Sequence, residues 1–109
     1  MTLVEFEQQI FAGAMGSIIC DIPVVRRLTS TSINLRLTLT TGGFIDAFYN
    51  EQTGTTAFAL IRQSQRVFGA DNTGGWHVHP FADPDRHELL PGGMSFAEFI
   101  AEIERQQRK

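Results

Sequence analysis

The sequence predicts an α+β fold: an antiparallel meander of four to five strands, with an N-terminal and a C-terminal helix packed on one face. Three observations predict it. Ile33, Leu35, Leu37 and Leu39 alternate strictly with Asn34, Arg36, Thr38 and Thr40, the period-two pattern of a strand with one buried face. Turn formers then recur at short intervals, and connections this short pair neighbouring strands antiparallel. The chain opens and closes on capping-box sequences, Thr2-Leu3-Val4-Glu5 and Ser95-Phe96-Ala97-Glu98, each a signature of a helix start.

The elements follow in order. Leu3, Phe6, Ile10 and Ala14 recur at helical spacing, and Gly13 and Gly16 invite termination, so a first helix is expected over 3–13. Ser17 to Leu28 is rich in β-branched residues but is interrupted by Pro23, which predicts an irregular or edge strand. The alternating stretch from Ile33 is the clearest strand. Thr41-Gly42-Gly43 makes a hairpin turn into a return strand from Phe44 to Tyr49. Asn50 to Gly54 turns the chain again. A strand from Thr55 to Arg62 then places Phe58 and Leu60 on one face and Ala57, Ala59 and Ile61 on the other. Gln63-Ser64-Gln65 leads into a strand from Arg66 to Ala70, Asp71 to Gly75 is a turn, and Trp76 to His79 is a short fifth strand stopped by Pro80. Pro80, Pro84, Pro91 and Gly92-Gly93 make 80–94 a loop, and a loop of that length is often functional. Phe96, Phe99, Ile100 and Ile103 form a core-facing stripe on a helix from about 96 to 107. Arg105, Arg108 and Lys109 put positive charge at its C-terminal end.

The 109 residues suit a single domain over 1–109, with a core assembled mainly from nine Phe and the aliphatic residues. A net charge of −3 gives no bulk attraction to nucleic acid. The basic residues are Arg apart from Lys109, and Arg suits bidentate phosphate or carboxylate contacts. Cys20 is the only cysteine, so neither an internal disulfide nor a thiolate zinc cluster forms, which fits a reducing, cytoplasmic setting. Cys20 reads as a small buried hydrophobe. There is no basic n-region followed by an apolar run, hence no expected signal peptide. No apolar stretch approaches the roughly 18 residues of a membrane span.

The chemistry-bearing residues concentrate in one segment. Asp71 and Asn72 precede a Gly-rich turn, the only Trp is Trp76, and His77, His79 and His87 follow. Residues two apart on a strand share a face, so His77 and His79 could converge on one divalent metal, with His87 or Asp71 as a further ligand. A metal-free alternative uses paired imidazoles as acid and base on a phosphodiester. RNA then supplies its own 2′-hydroxyl nucleophile, Arg62, Arg66 or Arg86 supplies positive charge, and Trp76 and Phe81 stack on unpaired bases. The plain structural reading is that Asp71 and Asn72 serve turn geometry, Trp76 is core and the histidines sit idle on a sheet.

Three motifs resemble the TumE-like family of small bacterial proteins, toxins of toxin–antitoxin pairs. They are the Arg-bearing strand with a Gly hairpin, Leu35 to Phe44; the strand ending in Asp-Asn, Arg66 to Asn72; and the segment Trp76-His77-Val78-His79-Pro80 with His87. The resemblance covers residues 33 to 103 and carries Asp71, Asn72, His77, His79 and His87 as family positions. It implies a toxin-like protein neutralised by an antitoxin protein; the residue chemistry above adds the expectation of a His-dependent ribonuclease on single-stranded RNA. The alternative is a non-catalytic module that binds a metal or a protein, or pairs with itself as a homodimer.

Overall fold

In the computed structural model, which describes residues 1–107, the α+β class is as expected, but the sheet is larger. It has seven strands, all antiparallel, in the order β1-β2-β3-β4-β5-β6-β7. They are β1 (Val24–Leu28), β2 (Ser32–Thr38), β3 (Phe44–Asn50), β4 (Thr56–Arg62), β5 (Gln65–Asp71), β6 (His77–His79) and β7 (Glu88–Leu89), with helices α1 (Leu3–Met15) and α2 (Phe96–Gln107). Spatial order equals chain order because every connection is local, so each new strand adds to the edge just made.

The four-to-five-strand expectation falls short at both edges. β1, outside that count, is the irregular or edge strand expected within 17–28; each of its residues is exposed, and Pro23 sits just outside it. β7 lies inside the expected 80–94 loop. Its two residues pair with β6, His77 opposite Leu89 and Val78 opposite Glu88, and a pair that short leaves no periodicity to read.

The core sits between one sheet face and both helices. Leu35, Leu37, Ile45, Ala47, Phe58, Leu60, Phe68 and Ala70 meet Phe6, Ile10, Phe99 and Ile103 there. Phe rings knit the layers: Phe6 stacks on Tyr49 with centroids 5.1 Å apart, and Phe99 lies 4.8 Å from Phe68. Each such ring contributes roughly 1.5–3 kcal/mol on burial.

Both capping boxes form, Glu5 and Glu98 receiving the backbone N–H of Thr2 and Ser95. Helix α1 runs past the expected stop at 13. Gly13 is internal because α2 packs against it; a Cβ there would lie 2.7 Å from the Phe96 ring. Gly16 is the cap that ends the helix, its N–H bonding back to Ala12 O. Arg105 closes α2 as expected and pairs with Glu102, while Arg108 and Lys109 lie outside the described residues. Arg36 and Asp46 pair across β2–β3 at 3.1 Å, as their positions predict.

Candidate metal centre

The site is built by register. Gly69 lies opposite His79, Ala70 opposite Val78, and Asp71 opposite His77. Directly opposed residues of an antiparallel pair point to the same side. Ala70 is buried and Val78 packs against the core, so Asp71, His77, His79 and Gly69 share the face that carries no helix. The β6–β7 register runs His77 to Leu89 and Val78 to Glu88. Continued by one residue, it puts His87 beside His79. Three imidazoles thus meet on two neighbouring strands.

They are close. Ring centroids are 5.1 Å apart for His77 and His79, 4.8 Å for His77 and His87, and 4.4 Å for His79 and His87. One nitrogen of each lies within 4.8 Å of the others. Donors of a tetrahedral ion with bonds of about 2.1 Å stand about 3.4 Å apart, so small side-chain rotations bring all three into range.

The hydrogen bonds orient the rings. His77 Nδ1 is 3.0 Å from the carbonyl oxygen of Gly75. A carbonyl only accepts, so Nδ1 carries the proton. That leaves His77 Nε2, 3.2 Å from Asp71 Oδ1, facing a second acceptor. Either a second ring proton or a shared cation satisfies this contact. His79 Nε2 lies 3.2 Å from Asp71 Oδ2, and a carboxylate accepts a proton from it. Its other nitrogen, Nδ1, is buried and without a hydrogen-bond partner among the described residues. Asp71 Oδ1 also accepts the N–H of Thr73 at 3.0 Å, so turn chemistry and site chemistry share one carboxylate. A carboxylate behind a ligating histidine fixes its tautomer and orientation.

Burial is graded across the trio. His79 is 3% exposed, His77 is intermediate and His87 is exposed. Burial pushes the His79 imidazole below its ordinary pKa; the hydrogen bond to Asp71 opposes this, and the charge of Arg66 adds to it. The neutral ring, the form that binds a metal, is favoured.

Gly69 makes the close packing around His79 feasible. A Cβ there would lie 3.1 Å from Arg66 Cδ and 3.6 Å from His79 Cδ2. The Arg66 stem settles beside the ring, and its guanidinium donates to Pro84 O at 3.0 Å, tying the β6–β7 loop to β5.

The other candidates separate. Asn72 spends its amide on the backbone, accepting from Thr56 N at 2.8 Å and donating to Gly54 O at 2.9 Å. It closes the β3–β4 turn and does not face the histidines. Trp76, one residue before His77, is partly buried against the core, 6.5 Å from the Phe58 ring. It is therefore on the helix-bearing side, not a stacking platform at the site. Phe81 stacks on Phe68 at 4.5 Å, also on that side. Arg62 donates to Gly42 O at the β2–β3 hairpin, and Arg86 pairs with Glu88. Of the three arginines expected to ring the site, Arg66 is the one whose charge acts on His79.

Sequence reasoning missed Gly69 and the Gly75 carbonyl. A glycine inside a strand signals a close approach, so Gly69 was findable; the Gly75 carbonyl had no side-chain signal at all. In comparisons with known proteins, no protein-family model, curated protein or solved structure matches this chain.

Proposed function

We propose that this protein is a toxin-like ribonuclease, the toxin component of a bacterial toxin–antitoxin pair, cleaving single-stranded RNA at a divalent metal held by His77, His79 and His87. The motif resemblance supports the toxin assignment. One observation carries the metal: the His trio brings one nitrogen of each ring within 4.8 Å of the others, and His79 keeps a buried Nδ1 without a hydrogen-bond partner among the described residues. Three imidazoles with a carboxylate suit zinc or a neighbouring first-row ion, and three protein ligands with a remaining position are the pattern of a catalytic rather than a structural site.

When bound, such an ion supplies positive charge to a phosphodiester oxygen and lowers the pKa of a water. The chain's own residues do the rest. Asp71 orients His79, and the Gly75 carbonyl orients His77. Arg66 contributes a cation beside the centre, and exposed His87 marks the side from which a phosphate approaches. RNA brings the 2′-hydroxyl as nucleophile.

His79 is too buried to exchange protons with a substrate, which favours ligation over acid–base work for it. The metal-free route has one specific support, the two acceptors that face His77, which an imidazolium satisfies.

The test is cleavage of a mixed single-stranded RNA by purified protein, with and without EDTA, for wild type, His77→Ala and His79→Ala. Cleavage is expected to disappear with EDTA, to return with added Zn²⁺ or Mn²⁺, and to fall at least about 100-fold in both variants. Cleavage that survives EDTA but not the substitutions moves the reading to acid–base catalysis by the same residues. No cleavage by folded wild type, with metal bound, leaves a non-catalytic metal-binding module.

A further inference from the structure

The opposite edge of the sheet carries a feature that the metal centre does not use. Six of the nine exposed large apolar side chains are Met15, Ile18, Ile22, Val24, Val25 and Leu28, all within one stretch of chain. Ile18 is 88% exposed and Ile22 79%. Monomeric proteins scatter such residues singly; a contiguous group marks an interaction surface.

The stretch is also a sheet edge. β1 is the first strand in the spatial order, so the backbone groups on its outer side have no strand partner among the described residues. The edge extends beyond β1: Cys20 bridges Leu39, and Asp21 N donates to Thr38 O at 2.9 Å. Residues 20–28 thus run along β2, interrupted near Pro23 and bulged between Val25 and Arg27. Beside them, the end of α1 leaves an apolar groove of about 500 Å³ lined by Phe11, Ala14, Met15, Cys20 and Ile22, among others. Burial raises the Cys20 thiol above its ordinary pKa, so the thiol stays uncharged; exposed Asp21 is the one charged residue of an otherwise largely apolar lining.

Charge selects among occupants. Arg26 and Arg27 are exposed and have no acidic partner among the described residues. A second copy pairing the whole of β1 with itself about a two-fold axis would centre on Arg26, set Arg26 against Arg26 and crowd the two Arg27 side chains nearby. Like charges opposed across a strand pair are destabilising. The bulge and the arginines guard the edge against self-pairing, yet a merely guarded edge has no need of the apolar side chains around it.

We infer that residues 15–28 form a docking surface for an extended, acidic segment of another protein, added to β1 as an eighth strand. Its carboxylates meet Arg26 and Arg27, and its apolar side chains cover Val25 and Leu28, which lie opposite buried Leu35 and Ile33 on the helix-bearing side, and enter the groove at Ile22. Main-chain hydrogen bonds supply affinity and the alternate side chains supply selectivity, as in other strand-addition complexes. This surface is separate from the metal centre, and the inference stands whether or not the centre cleaves RNA.

The test uses full-length protein against a displayed library of random dodecapeptides, with Arg26→Glu/Arg27→Glu and Ile22→Asp as comparison baits, both checked for native circular dichroism. Wild type is expected to enrich sequences alternating Asp or Glu with Val or Ile. A synthetic peptide of the enriched class should bind the double variant and Ile22→Asp each at least about tenfold more weakly, and should protect the amides of 24–28 from exchange. Several results would overturn the inference: no enrichment, enrichment of basic or helix-periodic peptides, or protection mapping elsewhere. So would a concentration-dependent dimer dispersed by Val25→Lys, or recruitment to phosphatidylserine vesicles in place of peptide.

Discussion

Asp71 joins turn and site. One oxygen takes the Thr73 N–H and faces His77, and the other faces His79. Replacing it by Asn keeps the size and one acceptor but removes the charge that orients His79 and faces His77 Nε2. Loss of a carboxylate that holds a ligating histidine typically costs 10–100-fold in metal affinity. Asp71→Asn is therefore expected to weaken Zn²⁺ or Co²⁺ binding by that order in calorimetry, with a thermal midpoint close to wild type in the metal-free protein. Unchanged affinity would remove Asp71 from the site.

Gly69 offers a test of packing. Ala in a strand interior gains about 0.5–1 kcal/mol over Gly, but the new Cβ would meet the Phe58 carbonyl oxygen at 3.3 Å and Arg66 Cδ at 3.1 Å. Overpacking costs about 1–3 kcal/mol, so the clash wins. Gly69→Ala should lose about 1 kcal/mol in denaturant unfolding. It should also speed amide exchange in 80–86, because Arg66 no longer reaches Pro84.

At the scale of elements, α2 is governed by its first turn. Ser95 Oγ accepts Glu98 N at 3.1 Å and Glu98 accepts Ser95 N at 2.9 Å. Ser95→Ala is expected to cost about 1 kcal/mol in denaturant unfolding. The backbone and side-chain hydrogen bonds from Ser95 hold the Glu98 carboxyl below its ordinary value near 4.5. The folded state then binds a proton less readily than the unfolded state. The contribution is present above that ordinary value and is lost as pH falls through the lower, folded value. An acid titration of stability should therefore be shallower on this limb in Glu98→Gln than in wild type. Helix α1 follows the same rule through Thr2 and Glu5, whose carboxyl is also lowered.

Across the whole molecule, Phe99 is the point where sheet and helix meet. It is fully buried and lies 5.5 Å from the Phe58 ring and 4.8 Å from the Phe68 ring. Truncation of such a residue costs about 3–5 kcal/mol, against a total of about 5–15 kcal/mol for a domain. Phe99→Ala should shift the urea midpoint far enough to leave the protein marginal. It should loosen the metal centre too, because β5 carries both Phe68 and Asp71. No helix among the described residues is long and apolar enough to cross a membrane.

The sequence by itself determined the helices, the central strands and the placing of His77 and His79 on one face of a strand. Those features depend on local rules: capping residues next to the turn they cap, and side chains alternating along one strand. Leu35, Phe58 and Phe99 are buried as their periodicity predicts. β1 was legible as an irregular or edge strand, whereas β7, only two residues long, was not legible. Tertiary structure alone decided which candidates share a site. Strand register brought His87 to His79 and put Asp71 beside both β6 histidines. The alternation that turns His77 toward them sends its neighbour Trp76 into the core. The physical reason is that a site on a sheet is defined across strands, by pairing partners distant in sequence, whereas the patterns a single sequence displays run along them.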